Sequence, residues 1–294
     1  MCGIAGILGK GASENLKAVE RMIAAMAHRG PDGERTYVSP TGDCVLGHRR
    51  LAILDLSVAA AQPMVSNNGR WAFVYNGECY NYRELGEDLC AQGKRLRTSG
   101  DTEVVMRLLS QDGLGKTLPR LNGMFALALW DQREQKLVLA RDRYGQKPLY
   151  FARVGKLLLF ASEVRALLVS GLVARQADPD AVCSYLSYGA IPESRTIVSG
   201  VSLLRPATSI TFEPNGGEKR DTYWMPPTEK DDVSPAALQK SFFSAVRRHL
   251  VSDAPLGLFL SGGIDSSAVV IAAAKSTGLR AKTLTVVFPE HSEY

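Results

Sequence analysis

Met124-Phe125-Ala126-Leu127-Ala128-Leu129-Trp130 is followed by Asp131-Gln132-Arg133-Glu134, then by Lys136-Leu137-Val138-Leu139-Ala140-Arg141. Two apolar runs of strand length around a polar turn predict an antiparallel hairpin. A second hairpin is predicted from 149–153 and 157–161, with Gly155 near its turn. Residues 4–8 form a short apolar run between glycines and read as a first strand. Residues 44–48 and 51–54 read as a strand pair, 71–75 as a strong strand with Asn76-Gly77 punctuating its end, and 209–212 as one more strand. Helical patterns occur at 16–26, 82–92, 102–110, 162–168 and 179–188. Antiparallel strands with helices set apart predict a layered α+β domain.

The pattern changes after a polar, turn-rich stretch at 213–232. The expected organisation is a first domain over 2–215, a connector over 216–235 and a second domain over 236–294. Residues 235–250 read as an amphipathic helix and 256–260 as a short strand. Ser261-Gly262-Gly263-Ile264-Asp265-Ser266-Ser267 follows, then a helix at 268–275 and a strand at 283–288. Strand, glycine loop, helix, strand is the opening of an α/β domain with a parallel sheet. Such a sheet needs more strands and helices over both faces, so this second domain reads as cut short.

Composition excludes several classes. The 294 residues are 45% hydrophobic, and 35 basic against 30 acidic residues give a net charge of +5 with the signs interspersed. No basic tail or aromatic-arginine stripe points to nucleic acid; Arg49-Arg50 and Arg247-Arg248 are only doublets. Five cysteines, Cys2, Cys44, Cys79, Cys90 and Cys183, fit neither a disulfide scaffold nor a zinc pattern. No apolar run reaches membrane-span length, and the start lacks a secretory signal. A reducing, cytoplasmic location is expected.

Two places carry chemistry. If Met1 is removed, Cys2 presents a thiol and a free α-amine on one residue. An amine with an ordinary pKa of about 7.7–8 is partly neutral at physiological pH and can take the thiol proton. A cysteine at position two is weak evidence on its own. The 261–267 loop would let backbone N–H groups and a helix N-terminus approach a phosphate, with Ser266 and Ser267 adding hydroxyls. Asp265 would repel phosphate unless a divalent cation bridges them or the carboxylate caps the turn. The plainer alternative is a glycine turn with a helix cap. Asn76-Gly77 is likewise the commonest hairpin-turn pair.

Further strings run through the chain: Met1-Cys2-Gly3-Ile4, Arg29-Gly30-Pro31-Asp32-Gly33, Gly47-His48-Arg49-Arg50-Leu51, Gln62-Pro63-Met64 and Tyr75-Asn76-Gly77-Glu78. Ser99-Gly100-Asp101-Thr102-Glu103, Arg141-Asp142-Arg143-Tyr144-Gly145-Gln146-Lys147-Pro148 and Ala161-Ser162-Glu163 continue the series. In order and number these resemble the glutamine-dependent asparagine synthetases, across essentially the whole chain. The resemblance implies a four-layer αββα N-terminal-nucleophile hydrolase domain. An incomplete α/β domain of the adenine-nucleotide alpha-hydrolase kind, with a parallel sheet, would follow it.

The resemblance also implies roles. Cys2 would attack the glutamine amide. The Asn76 side chain and the Gly77 N–H would form the oxyanion hole. Arg49 would hold the substrate carboxylate, and Glu78 and Asp101, with Asn76, would complete the glutamine site. Ser261, Gly262, Gly263, Asp265, Ser266 and Ser267 would bind ATP as a pyrophosphate loop. Val287, on the next strand, would lie near adenine. The cofactors implied are ATP and Mg²⁺, the latter near Asp265, with no protein metal ligand set beyond that.

The implied activity is that of a ligase: ammonia from glutamine amidates aspartate through β-aspartyl-AMP. The implied partners are glutamine, aspartate or another amide acceptor, and a second copy in a homodimer, without nucleic acid or membrane. His28 and His48 are read as structural. Ala59-Ala60-Ala61, Leu204-Arg205-Pro206-Ala207 and Cys79 depart from the family's pattern. Two alternatives stay open: a related amidotransferase with a sugar, peptide or antibiotic-precursor acceptor, and a non-catalytic binding module.

Overall fold

The computed structural model describes residues 1–214, 216–228, 233–278 and 281–287. In chain order its first part contains β1 (Gly3–Leu8), α1 (Leu16–Ala25), β2 (Gly33–Val38), β3 (Cys44–Arg50), β4 (Met64–Val65) and β5 (Trp71–Cys79). Then come α2 (Tyr82–Ala91), α3 (Asp101–Asp112), α4 (Leu114–Thr117), β6 (Gly123–Asp131), β7 (Lys136–Arg141), β8 (Tyr150–Val154), β9 (Leu157–Ala161), α5 (Val164–Val169) and α6 (Pro179–Tyr188). β10 (Val201–Leu203), β11 (Thr208–Phe212) and β12 (Glu218–Thr222) complete it. The chain divides into two compact units, residues 1–226 and 227–294.

The first unit holds two six-stranded antiparallel sheets, ordered β10-β8-β9-β1-β3-β2 and β12-β11-β7-β6-β5-β4. The hairpin that opened the sequence reading forms as β6–β7, in register from Ala126 opposite Arg141 to Asp131 opposite Lys136. Ile4, Leu46, Val74, Trp130, Leu139, Phe160 and Ile210 are buried in one cluster between the sheets. On the outer side of the first sheet, Val19, Met22 and Ile23 of α1 and Leu167 of α5 pack on Ile7, Val45 and Leu159. α2 and α3 pack against each other, and α3 packs on β5, so they cover the second sheet. Helices, sheet, sheet, helices: this is the αββα arrangement.

Three local readings change. Asn76-Gly77 does not end a strand, because β5 continues through both and pairs with β6 as far as Cys79 opposite Gly123. The glycine answers to close approach, since a Cβ there would run into the Met124 carbonyl and Phe125. Residues 51–54 form no strand; β3 pairs instead with β1 and with β2, an edge strand absent from the sequence reading. Residues 218–222, inside the expected connector, form β12 on the edge of the second sheet.

The second unit contains α7 (Pro235–His249), β13 (Leu258–Phe259), α8 (Ile264–Thr277) and β14 (Thr283–Leu284). β13 and β14 pair in parallel, and Val246, Ala272 and Ala273 form a small core between the two helices. Phe259, Ile264, Val286 and Val287 are exposed. Val287 lies past the end of β14, so it is not on that strand; Phe288, the expected strand end, lies outside the described residues. Among the described residues no helix is long and apolar enough to cross a membrane.

Candidate active site

One end of the first unit's sandwich carries a pocket whose walls come from both sheets. The first sheet and the loop that follows it supply Cys2, Arg50 and Leu51; the second supplies Asn76, Gly77, Glu78 and Met124. The start of α3 adds Asp101 and Thr102, and the loop after β7 adds Lys147. Cys2, the consecutive Asn76-Gly77-Glu78 and Asp101, from three separate parts of the sequence, are therefore brought together.

Cys2 immediately precedes β1, and its surroundings fix it. Its Sγ accepts from the Leu51 N–H at 3.4 Å and donates to the Leu51 carbonyl at 3.6 Å. Its own carbonyl accepts from Arg29 Nε at 2.9 Å, and Arg29 Nη1 reaches Glu163 Oε1 at 3.1 Å. Burial pushes the Cys2 thiol above its ordinary value, while the Leu51 hydrogen bond and the nearby N-terminal amine and Arg50 pull the other way. Met1 precedes Cys2 in the structure and lines the same pocket. Burial also lowers the Met1 α-amine below its ordinary value.

Arg49 is not brought to the pocket. Side chains alternate along a strand, and the inner face of β3 carries Cys44, Leu46 and His48, so Arg50 continues that face and Arg49 points outward with Val45. Arg49 pairs with Glu34 across the ladder and donates to the Gly30 carbonyl. Arg50 lines the pocket and donates to the carbonyls of Ser57 and Asp55. A guanidinium has more donors than those two carbonyls use. The clue in the sequence is the alternation of Cys44, Leu46, His48 and Arg50.

Past its short pairing with β4, the far edge of β5 leaves backbone donors facing away from β6. The Phe125 N–H and C=O both bond Asp142, the N–H to Oδ2 at 3.1 Å and the C=O from the Asp142 N–H at 2.8 Å. Gly77, opposite Phe125, therefore sits in a non-hydrogen-bonded pair and turns its own N–H to the far edge of β5. Its neighbours on that edge are committed: Tyr75 N–H donates to Gln62 Oε1 at 2.6 Å and Cys79 N–H to Asp101 Oδ2 at 2.8 Å. Beside Gly77, the Asn76 side chain is buried and its Nδ2 has no hydrogen-bond partner. A buried donor left unpaired costs about 1–3 kcal/mol, so its presence here points to a ligand oxygen. Gln62, Thr102 and Lys147 are pocket residues that sequence reasoning gave no role; only tertiary contact reveals them.

Histidine is not the base. Burial holds His48 down to about 3, and its neutral ring donates from Nε2 to the Tyr75 carbonyl at 3.3 Å. His28 lies on Glu163 at 2.9 Å, outside the pocket.

Asp101 is buried, and its carboxyl is pushed up to about 7, chiefly by desolvation and further by Glu78, against the Cys79 and Thr102 hydrogen bonds. An acid whose folded value exceeds its unfolded one binds more protons when folded. Stability therefore falls as pH rises from about 4 to about 7, and the penalty is complete above that. Asp101→Asn is expected to raise Tm, by more at pH 8.5 than at pH 5. Melting curves at the two pH values check this, and an equal or negative shift at the higher pH contradicts it.

In the second unit the loop before α8 is shaped by its own hydroxyls. Gly262 takes a positive φ of 81°. Ser261 Oγ lies 3.1 Å from Ser266 Oγ, which donates to the Gly263 carbonyl at 3.1 Å. Asp265 stands in the first turn of α8. Among the described residues no group of three or more His, Cys, Asp or Glu side chains gathers to hold a metal. One carboxylate beside a glycine turn and serine hydroxyls at a helix start would fit Mg²⁺ held mainly by nucleotide oxygens.

Two facing antiparallel sheets, helices outside and a cysteine leading into a central strand define an N-terminal-nucleophile hydrolase fold. The chain belongs to the glutamine amidotransferase domain family, which matches residues 1–224, and residues 237–294 match the asparagine synthase family. It is 32% identical over 301 residues to asparagine synthetase [glutamine-hydrolyzing] 1 of Bacillus subtilis, covering 99% of this chain and 46% of that protein. It is 33% identical over 289 residues to amidase chry2 of Gibberella zeae, covering 92% and 42%. The chain thus spans about half the length of the curated relatives it matches. The glutamine phosphoribosylpyrophosphate amidotransferase of B. subtilis aligns over 97% of this chain and 65% of its own, with a TM-score of 0.57 at 20% identity, a likeness of fold.

Proposed function

We propose that this chain hydrolyses glutamine at Cys2 and forms the N-terminal part of a glutamine-hydrolysing asparagine synthetase. The observation that carries the reading is the unpartnered Asn76 Nδ2 and the edge-facing Gly77 N–H in one pocket with the Cys2 thiol. Removal of Met1 exposes the Cys2 α-amine. Arg50 takes the glutamine α-carboxylate, and Asp101 with Glu78 takes the α-ammonium. Opposite charges placed for the two ends of a zwitterion select the free amino acid.

Cys2 Sγ attacks the side-chain carbonyl carbon as its proton passes to the α-amine. The oxygen becomes an oxyanion held by Asn76 and Gly77. The tetrahedral species collapses, the C–N bond breaks, and the amine returns the proton to the departing ammonia. Water then cleaves the thioester to glutamate and restores the thiol.

In the complete protein, ammonia meets aspartate activated as β-aspartyl-AMP at the ATP site. Ser261, Gly262, Gly263, Ser266 and Ser267 would hold the phosphates, and Asp265 would help hold Mg²⁺, which would neutralise phosphate charge. Val287 remains assigned near adenine by resemblance alone. A homodimer and a cytoplasmic setting complete the reading; the free state of all five cysteines supports the latter.

A second reading keeps the glutaminase and changes the acceptor. The fungal amidase is as similar to this chain as the synthetases are. Glutamate release by the processed, folded chain tests the first half, and its absence overturns it. Aspartate-dependent AMP and asparagine from the full-length gene product test the second. Glutamate without that AMP transfers the assignment to another acceptor.

The two arginines separate cleanly. A hydrogen bond to a charged group is worth about 1.5–3 kcal/mol, so Arg50→Ala is expected to raise the glutamine KM by about tenfold to a hundredfold. Arg49→Ala removes a partly exposed pair and is expected to change KM by less than about twofold. Steady-state kinetics with glutamine decide between them, and the reverse order restores Arg49 to the substrate carboxylate.

A further inference from the structure

Lys147 is buried, yet it lines the pocket that holds Cys2. Two buried charged side chains fix its backbone. Asp142, fully buried, accepts from the Lys147 N–H at 3.0 Å and also from the N–H groups of Phe125, Tyr144 and Gln146. Arg141 donates to the Lys147 carbonyl at 2.8 Å and to the Leu204 carbonyl at 2.6 Å. The backbone is thereby held on both sides of Lys147, and Lys147 lines the pocket.

A buried thiolate needs a nearby positive charge. Among the described residues, the charged groups acting on Cys2 include the Met1 amine, Arg50, Asp101 and Lys147. Asp101 opposes the thiolate. Once Met1 is removed, the α-amine of Cys2 itself is uncharged when it serves as base, and Arg50 is tied to two loop carbonyls and assigned to the substrate carboxylate. Arg29 reaches the Cys2 carbonyl rather than its sulfur and is paired with Glu163. Among the described residues that leaves Lys147, with Glu78, Asp142 and Arg29 also acting on it. Burial lowers its own value below the ordinary lysine range, the usual cost of a desolvated ammonium.

We propose that Lys147 is a positioning residue of the glutaminase centre, its charge favouring the Cys2 thiolate. The proposal rests on the glutaminase reading, but its test does not need turnover. The test is alkylation of Cys2 by iodoacetamide across pH, followed by peptide mass spectrometry without glutamine, on protein whose N-terminus is checked by intact mass.

In Lys147→Met, which keeps the stem and removes the charge, the midpoint is expected to rise by about one pH unit, a roughly tenfold slower reaction at pH 7. Lys147→Arg is expected to stay within about twofold of the parent at that pH. Lys147→Gln is the second neutral variant should Lys147→Met fail to fold by circular dichroism. A neutral, folded variant with the parent's profile overturns the proposal, and so does a Lys147→Arg shift equal to the neutral one. Failure of the glutaminase reading appears separately, as absent glutamate from parent protein whose Cys2 alkylates normally.

Discussion

Replacing Cys2 with alanine is expected to lower glutamate release from glutamine by about 10⁴-fold or more, the scale on which loss of a covalent nucleophile is felt. Two threonine hydroxyls near the pocket are already engaged. The Thr98 hydroxyl donates to Glu103 at 3.0 Å, and the Thr102 hydroxyl accepts from Gln62 at 3.3 Å and reaches Asp101 at 3.4 Å. Both are tied into the pocket wall. The fold loses only the weak exchange between Sγ and the Leu51 peptide. In the full-length protein, the same variant should retain amide formation from added ammonia, because the change is confined to the first site. The measurement is glutamate release alongside ammonia-dependent product. Undiminished glutamate release would mean that another group forms the thioester's counterpart, and the mechanism would fall.

Asn76→Ala carries the second large effect. Loss of one oxyanion donor lowers kcat by about 10²–10³-fold. The structure explains why this is separable from stability. Asn76 Nδ2 has no partner in the folded protein, so truncation leaves no acceptor stranded. Gly77 N–H stays in place because the β5–β6 register sets it, not the Asn76 side chain. The expected pattern is a fall in kcat with KM changed by less than about threefold, since the amide oxygen gains its full charge only in the transition state. Steady-state kinetics give this directly. A rise in KM with kcat preserved would place Asn76 in ground-state binding instead.

The hairpins were legible because a turn between apolar runs needs only local information. The β6–β7 and β8–β9 pairs appear where the pattern put them. β2 was hidden because it lies on a sheet edge, largely exposed, with Glu34, Arg35 and Thr36 in place of apolar residues. Asn76-Gly77 misled for a physical reason: glycine serves both positive φ and close approach, and only the partner strand says which. Arg49 misled through period two, where a one-residue slip moves a side chain to the opposite face. The cysteine, the asparagine and the acids were reachable by motif. Lys147 stood in the 141–148 string, but its place in the pocket depends on Phe125 and Leu204, which hold Asp142 and Arg141 from far away in sequence.

The proposed nucleophile leads into one sheet and the proposed oxyanion donors stand on the other, and among the described residues no hydrogen-bonded ladder joins those sheets. The proposed site is therefore complete only where the two apolar faces pack together around Ile4, Val74 and Phe160. A core substitution that loosens this seam would silence the enzyme while leaving its strands, and their spectroscopic signal, intact.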